Sequence, residues 1–471
     1  MLTFFTRTRF RRAPTSILRP NTKSFYSTNR SAFNSKTYFA AATLIGASGI
    51  WWVNGTRKDV PRLDPTPVGH LAPEPGPSKD DVTQMISKDA YSFQVRDVTG
   101  INRYDGTQLA SNSPCEDRFI HGKLSSPWSD GEWLSWGVFD GHAGWQTADL
   151  LTRQLLPLVR NRLSKIQRPL DGSKVADKAI QRAIINGFMD LDDSIIMTAQ
   201  ATSESKDSLQ DKAKKLAPAY SGSCALLSLY DSNTGKLHVA CTGDSRAVLG
   251  QKDSDGKWEV IPLSIDQTGY NEEEVARLYK EHPDEEDIVK NGRVLGIAVS
   301  RAFGDSRWKW PIDLQSDMKR KFNGPAPLTP RYDVRTPPYL TAEPVVTSTK
   351  IDPNKPSFLI MASDGLWDNI SSKQSVDLVA KWLELGKKET SKLEPSYEQC
   401  DFGKFRKDLD WRFEEGRTTV EDENAAVHLV RNSLGGNYHE LIAGRLAFGP
   451  PFSRRIRDDI TVQVVFFNVE K

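Results

Sequence analysis

The chain has 471 residues, of which 38% are hydrophobic and 26% charged, enough for one large domain with extensions or for two domains. Its four cysteines lie far apart and form no CxxC pair, so the sequence indicates neither a disulfide framework nor a zinc site. Ten basic side chains and no acidic one fall in residues 1–58, which leaves 53 basic and 61 acidic side chains in the other 413 residues; a body with a net charge of about −8 argues against nucleic acid binding.

Residues 1–37 form a basic leader that is rich in Arg, Ser, Thr and Phe and contains no acidic residue. This composition is typical of a mitochondrial presequence. A disordered basic tail is the alternative interpretation.

An uncharged run, "YFAAATLIGASGIWWV", follows at residues 38–53. As a helix it would span about 24 Å, short for a hydrocarbon core of about 30 Å but usable, and its closing tryptophans suit a membrane interface. Residues 54–84 form a proline-rich linker. A presequence followed by such a run resembles a stop-transfer signal, so we expect attachment to the inner membrane with the body facing the intermembrane space. Delivery to the matrix is the alternative.

The body, residues 85–471, alternates short apolar runs with stretches of helical periodicity. Two weakly patterned, polar segments near 309–341 and 386–424 are predicted to be surface insertions. The runs predict strands at 133–140, 221–231, 236–250, 356–365 and 459–469, and the periodicity predicts helices at 145–163, 175–196 and 371–385.

Several of the predicted strands end or begin at acidic residues. Asp140, Asp244 and Asp364 each follow an apolar run, and Asp458 with Asp459 opens the last one. A single Asp at a strand end is usually a turn former. Four such sites suggest instead that carboxylates converge at one edge of a sheet, where cations must neutralise them. Oxygen ligands without a Cys or His cluster favour Mg²⁺ or Mn²⁺.

Eight motifs occur in the order seen in the metal-dependent type 2C protein serine/threonine phosphatases, and the chain resembles that family over residues 90–469. "SNSPCEDR", "DQTGYNEEEV" and the insertion before "LTAEP" resemble most the mitochondrial branch that includes the pyruvate dehydrogenase phosphatase catalytic subunit and its fungal relatives. The motifs are "CEDRF" (115–119), "FDGHAGW" (139–145), "ACTGDSRAVL" (240–249), "DQTGYNEEE" (266–274), "GIAVSRAFGD" (296–305), "LTAEP" (340–344), "ASDGLWDNIS" (362–371) and "RDDITVQVV" (457–465).

The resemblance implies an α+β fold, an αββα sandwich of two central antiparallel sheets flanked by helices, with a metal cleft at one edge. It also implies a protein phosphatase in which a water bridging two divalent ions, Mg²⁺ or Mn²⁺, attacks phosphorus in phosphorylated mitochondrial proteins. The implied metal ligands are Asp140, the Gly141 carbonyl, Asp364 and Asp458, with Glu116 and Asp117 holding metal-bound water and Asp244 binding a weaker third ion.

His142 matches the general acid of the family, which protonates the leaving oxygen of Ser or Thr. One position departs from the pattern: many relatives carry a phosphate-binding Arg four residues before Glu116, where this chain has Asn112. A neutral amide binds phosphate more weakly than a guanidinium. A metal-binding pseudophosphatase and a membrane-tethered scaffold without turnover are the alternative functions, although no metal Asp is missing.

Overall fold

The computed structural model describes residues 77–128, 131–169, 174–385 and 413–469. The predicted leader, the apolar run at 38–53, most of the predicted linker and residues 386–412 of the second insertion lie outside these ranges. Within them, none of the helices is both long and apolar enough to span a bilayer.

Two antiparallel sheets form the centre of the fold. The six-stranded sheet has the order β1-β2-β16-β15-β9-β10, and the five-stranded sheet has the order β14-β8-β7-β4-β3. In chain order the strands are β1 (Tyr91–Gln94), β2 (Ile101–Leu109), β3 (Arg118–Ser125), β4 (Glu132–Phe139), β5 (Gly141–His142), β6 (Gly222–Ser223), β7 (Ala225–Asp231), β8 (Lys236–Thr242), β9 (Arg246–Lys252), β10 (Trp258–Pro262), β11 (Val289–Lys290), β12 (Arg293–Val294), β13 (Phe303–Gly304), β14 (Val345–Lys350), β15 (Ser357–Ala362) and β16 (Ile460–Phe467).

Helices cover the outer faces of both sheets. Residues of α2, α3 and α4 pack on the five-stranded sheet, and residues of α1, α8, α9 and α10 pack on the six-stranded sheet. The helices are α1 (Lys79–Ser87), α2 (Gln146–Ser164), α3 (Asp177–Glu204), α4 (Leu209–Tyr220), α5 (Glu272–Glu281), α6 (Ile312–Phe322), α7 (Asp364–Trp367), α8 (Ser372–Leu385), α9 (Ala425–Leu434) and α10 (His439–Ala447).

The central strands β4, β7, β8, β15 and β16 are almost entirely buried, and most of their residues are apolar. On β4, Leu134 and Trp136 face the other sheet and pack in the cluster that contains Met361 of β15. Trp133 and Phe139 face outward, into the cluster formed with α2 and α3. A strand buried on both faces loses the alternation of polar and apolar residues. The α+β fold and the predicted αββα layering are thus confirmed.

The packed body begins earlier than residue 85. Ser78 caps α1 and, with Asp81, forms a capping box, and Val82 and Ile86 are fully buried against the six-stranded sheet. Proline-rich composition before residue 78 masked this short amphipathic helix. In the first predicted insertion, residues 312–322 form α6, and Trp310 and Met318 are buried. That segment is therefore partly packed against the body despite its weak sequence pattern.

The run predicted as one strand at 236–250 is divided between the two sheets. β8 belongs to the five-stranded sheet and β9 to the six-stranded sheet. The chain crosses between them at residues 243–245, where Gly243 has a φ of 102°, a backbone conformation that favours glycine. The crossing leaves Asp244 at the shared edge of both sheets.

Candidate metal centre

Three carboxylates converge where the two sheets meet. Asp140 follows β4, Asp244 connects β8 to β9, and Asp364 follows β15 as the first residue of α7. Each offers one oxygen atom, and these three atoms lie within 4.8 Å of one another. The three residues are half-buried.

Strand register explains the convergence. In the five-stranded sheet, β4 pairs Val138 with Leu226 of β7, and β7 pairs Ala225 with Thr242 of β8, so Asp140 and Asp244 emerge at the same edge. In the six-stranded sheet, β15 pairs Ala362 with Arg246 of β9, which brings Asp364 to Asp244. Antiparallel pairing therefore places the end of one strand beside the start of the next.

Burial and mutual repulsion raise the pKa values of these carboxyl groups. Burial raises the pKa of Asp140 well above its usual range, and the neighbouring Asp364, Asp117 and Asp244 raise it further. The pKa of Asp244 is raised to about 7 by burial and by Asp364. Burial also raises the pKa of Asp364. Carboxylates held this close are stable as anions only when a cation shares them.

Asp117 ties the loop before β3 to the ends of two strands. It is buried, and its Oδ2 accepts hydrogen bonds from Ser363 Oγ at 2.8 Å and from Thr461 Oγ1 at 2.7 Å. Burial and the nearby Asp459 raise its pKa to about 7. Asp117 is thus hydrogen-bonded to Ser363, the residue that immediately precedes Asp364.

The two consecutive acids before β16 have different environments. Asp459 is buried, and its carboxylate accepts hydrogen bonds from the backbone of Ser111, Asn112 and Glu116 and from the Asn112 amide at 3.1 Å. These bonds outweigh burial and lower its pKa. Asp458 instead forms an ion pair with Arg454 and lies outside the group of three carboxylates described above.

Glu116 and Gly141 approach each other closely. A Cβ atom at Gly141 would lie 2.3 Å from the backbone oxygen of Glu116, so only glycine permits this contact. Burial raises the pKa of Glu116. Asn112 donates its amide to Glu116 Oε2 at 3.4 Å, in addition to its bond to Asp459. The predicted phosphate-contacting residue thus already uses its side-chain amide in these two bonds.

His142 is held by a carboxylate that the sequence did not single out. Its Nε2 lies 2.6 Å from Oδ2 of Asp305, a buried residue in left-handed backbone conformation with φ of 48°. A short sheet in the order β13-β6-β5 brings the two together. A Cβ atom at Gly222 of β6 would lie 2.2 Å from His142 Nε2, so glycine is required beside the pair.

The ionisation of His142 follows from this contact. Desolvation lowers its pKa, but the charge and hydrogen bond of Asp305, with Asp244 and Glu116, outweigh desolvation, and the net pKa is raised. About 28% of the His142 side chain remains exposed. The imidazole is thus poised to be protonated beside the carboxylate group.

Comparison with known proteins identifies the family. The protein phosphatase 2C family model matches residues 105–404. A protein phosphatase 2C homolog of Schizosaccharomyces pombe is 42% identical, covering 83% of this chain and 85% of the relative. The chain belongs to the protein phosphatase 2C family. Two further relatives are named mitochondrial pyruvate dehydrogenase phosphatase 1: that of Saccharomyces cerevisiae is 36% identical, covering 86% of this chain and 77% of the relative, and that of Rattus norvegicus is 32% identical, covering 82% of each.

As a protein phosphatase 2C, the chain is a metal-dependent phosphatase, which confirms the class predicted from the motifs. The donor set fits Mg²⁺ or Mn²⁺, because three carboxylate oxygens within 4.8 Å of one another are hard ligands whose repulsion a divalent ion relieves. No His or Cys belongs to the group. The predicted ligands Asp140 and Asp364 are brought together, and they are joined by Asp244, which was predicted for a weaker third ion.

Sequence reasoning on this phosphatase missed Asp305 and Asp368. Asp368 lies four residues after Asp364, and burial, with Asp364 and Asp266, raises its pKa to about 6. It helps to line a cleft of about 660 Å³ that also contains Asp244 and Asp364. Asp368 belongs to the motif "SDGLWDN", so the sequence offered a signal for it. Nothing in the sequence links Asp305 with His142, which is 163 residues away.

Proposed function

We propose that this protein phosphatase 2C hydrolyses phosphoserine and phosphothreonine in mitochondrial proteins with two divalent ions in its cleft. The observation that carries the proposal is the convergence of Asp140, Asp244 and Asp364. When bound, Mg²⁺ or Mn²⁺, two per site with a weaker third, supplies an acidified water as nucleophile and neutralises the carboxylates. Asp140, the Gly141 carbonyl, Asp364 and Asp458 would hold the two ions, with Asp244 toward the third and Glu116 and Asp117 behind them.

His142 acts as the general acid in this proposal. Its Nε2 is bonded to Asp305, so a protonated ring presents Nδ1–H as a second donor. The alkoxide that leaves from phosphoserine is a strong base and needs that proton. Asp305 keeps the ring oriented and favours its charged form, which supports proton donation near neutral pH.

The test of the proposed reaction uses the purified protein. We expect phosphate release from phosphoserine and phosphothreonine peptides with Mn²⁺ or Mg²⁺, loss of release with EDTA, and little release from a matched phosphotyrosine peptide. A protein that binds Mn²⁺ but releases no phosphate from any of the peptides would be a pseudophosphatase or a scaffold, and the proposal would fail.

The mitochondrial location is supported by the leader at 1–37 and by the names of the relatives from S. cerevisiae and R. norvegicus. The apolar run at 38–53 supports attachment to the inner membrane with the phosphatase domain facing the intermembrane space. The relatives' names support the matrix and phosphorylated pyruvate dehydrogenase as substrate. These two placements predict different substrates.

Protease treatment of mitochondria with ruptured outer and intact inner membranes separates the placements. Digestion of the phosphatase domain is expected for the intermembrane space, and full protection indicates the matrix. Phosphoproteins are then compared between mitochondria that contain the phosphatase and mitochondria that lack it, and the substrate is the protein whose phosphorylation rises when the phosphatase is absent. Phosphorylation of pyruvate dehydrogenase is expected to rise only if the phosphatase lies in the matrix.

A further inference from the structure

The residue at position 112 does not offer a free donor to a substrate. The Asn112 amide donates to Asp459 Oδ2 at 3.1 Å and to Glu116 Oε2 at 3.4 Å, and its backbone N–H donates to Asp459 Oδ1 at 2.9 Å. A substrate phosphate carries up to two negative charges, and a guanidinium binds it best because two parallel N–H groups meet two oxygens. Other arginines lie near the carboxylates, and they differ in how many of their N–H groups are already bonded.

Two arginines near the carboxylates are already committed. Arg246 binds both oxygens of Asp266, through Nε at 2.8 Å and through Nη2, and also lies over the Trp367 ring. Arg118 uses Nη1 to bind the carbonyls of Cys115 and Asp117 within its own loop. The N–H groups that form these bonds are therefore not open to a substrate phosphate.

Arg454 lies beside the loop that carries Asn112. It belongs to a short 3₁₀ turn, Ser453–Arg455, whose Ser453 Oγ donates to the carbonyl of Ser111 at 2.5 Å. Ser111 Oγ donates in return to the carbonyl of Arg457 at 2.7 Å. These two bonds fix residues 453–457 against Ser111, the residue before Asn112.

The Arg454 guanidinium has capacity left for a ligand. Nη1 pairs with Asp458, and no hydrogen bond joins its other nitrogens to the residues that the structure describes. About 44% of the side chain is exposed. Burial raises the pKa values of Glu116, Asp364 and Asp368, and the charge of Arg454 is among the influences that oppose each rise. The positive charge of the guanidinium therefore acts on carboxylates at the candidate metal centre, where a substrate phosphate would bind.

We propose that Arg454 binds the phosphate of the substrate, supplying from the turn before β16 the guanidinium that position 112 lacks. The proposal rests on the hydrolysis of phosphoserine and phosphothreonine proposed above. Arg454 pairs with Asp458 through one nitrogen and offers the remaining N–H groups to phosphate oxygens, so it is a binding residue rather than a proton donor or a metal ligand.

The experiment compares Arg454→Gln with Arg455→Gln in the full-length protein. Arg455 is a matched control because it is an exposed arginine in the same turn whose guanidinium lies over the Phe452 ring. For each variant we would measure kcat and KM on a phosphothreonine peptide, inhibition by inorganic phosphate, and the Mn²⁺ concentration that gives half-maximal activity.

Arg454→Gln should raise both the KM and the phosphate inhibition constant by about tenfold or more, the range for loss of a charged hydrogen bond. Its kcat and its Mn²⁺ requirement should change much less, and Arg455→Gln should behave like the unaltered protein. Adding Asn112→Arg to Arg454→Gln should restore part of the lost affinity, because it returns a guanidinium to the position at which many relatives carry one.

Two results would overturn the inference. One is a KM and a phosphate inhibition constant that match those of Arg455→Gln. The other is an increased Mn²⁺ requirement with unchanged phosphate inhibition, which would show that Arg454 acts only through Asp458. If the unaltered protein releases no phosphate in the same assay, the proposed function has failed; phosphate protection against thermal unfolding, present in Arg455→Gln and lost in Arg454→Gln, would still test Arg454.

Discussion

Asp231 and Asp140 lie at opposite ends of the same pair of strands, and their carboxylates have different roles. Asp231 ends β7, and its oxygens accept hydrogen bonds from the backbone of Asn233 at 3.0 Å and from Thr234 Oγ1 at 2.6 Å. Asp140, at the other end, meets two further carboxylates instead of donors. An aspartate at the end of a buried strand thus forms a turn where hydrogen-bond donors surround it. Where other carboxylates surround it, the same residue type is a candidate metal ligand.

The largest effect should come from removing one of the converging charges. Asp364→Asn keeps the shape of the side chain and removes a charge that burial disfavours, as the raised pKa of Asp364 indicates. We expect turnover of a phosphothreonine peptide with Mn²⁺ to fall by orders of magnitude while the melting temperature in EDTA is retained. Near-normal turnover would contradict the assignment of Asp364 to the metal centre.

The next effect separates the carboxylates that would bind metal from the carboxylate that holds His142. His142→Ala should reduce kcat strongly for phosphoserine and only slightly for an aryl phosphate, whose leaving oxygen needs little protonation. Asp305→Asn should show the same pattern with a smaller loss. Because Asp305 acts through the imidazole, adding Asp305→Asn to His142→Ala should lower kcat little further. Equal losses on both substrates would remove His142 from the role of acid.

The family resemblance predicted the layers of this fold and named Asp140 and Asp364 as main metal ligands, whereas the acids at strand ends predicted that both lie, with Asp244, at one edge of a sheet. The run at 236–250 gave no sign that the chain changes sheets at Gly243, which is what brings Asp244 into the group. Apolar residues continue on both sides of that crossing, so the local pattern alone predicts one continuous strand.

The functional partners that the sequence did not reveal depend on long-range contacts. The contact between Asp305 and His142 depends on a left-handed backbone conformation and on a glycine in a third strand. Asp458 and Asp459 are adjacent and chemically identical, yet only Asp459 receives the hydrogen bonds of the loop at 111–116. The assignment of Asp458 as a metal ligand came from the family resemblance and stays a prediction.

A third effect is a pH dependence of the metal-free protein. The folded-state pKa values of Asp117 and Asp244 are about 7, above the ordinary 3.8. Between these values the two groups hold more protons in the folded state than in the unfolded state, so their contribution to stability falls as pH rises from about 4 to about 7. His121, His238 and His428 oppose this trend, because burial lowers their pKa values to about 4. We therefore expect the melting temperature in EDTA, measured relative to that of Asp244→Asn, to decrease from pH 5 to pH 7.5, and Mn²⁺ to reverse the decrease. The same pH dependence in both proteins would contradict the raised pKa of Asp244.

The smallest effect belongs to the other end of the sheet and should alter stability without altering chemistry. Asp231→Ala removes the acceptors for Asn233 and Thr234 in the turn between β7 and β8, and should lower the free energy of unfolding by about 1–2 kcal/mol. Asp231→Asn retains one carbonyl acceptor and should lose less. Because the turn is at the far end of β7 from the carboxylates, kcat and the Mn²⁺ requirement of Asp231→Ala should match those of the unaltered protein. Asp364→Asn should instead retain its stability and lose kcat. A fall in kcat for Asp231→Ala at a temperature where the protein is folded would mean that the two ends of the sheet are coupled, and the contrast between a turn-forming and a metal-binding aspartate would not hold.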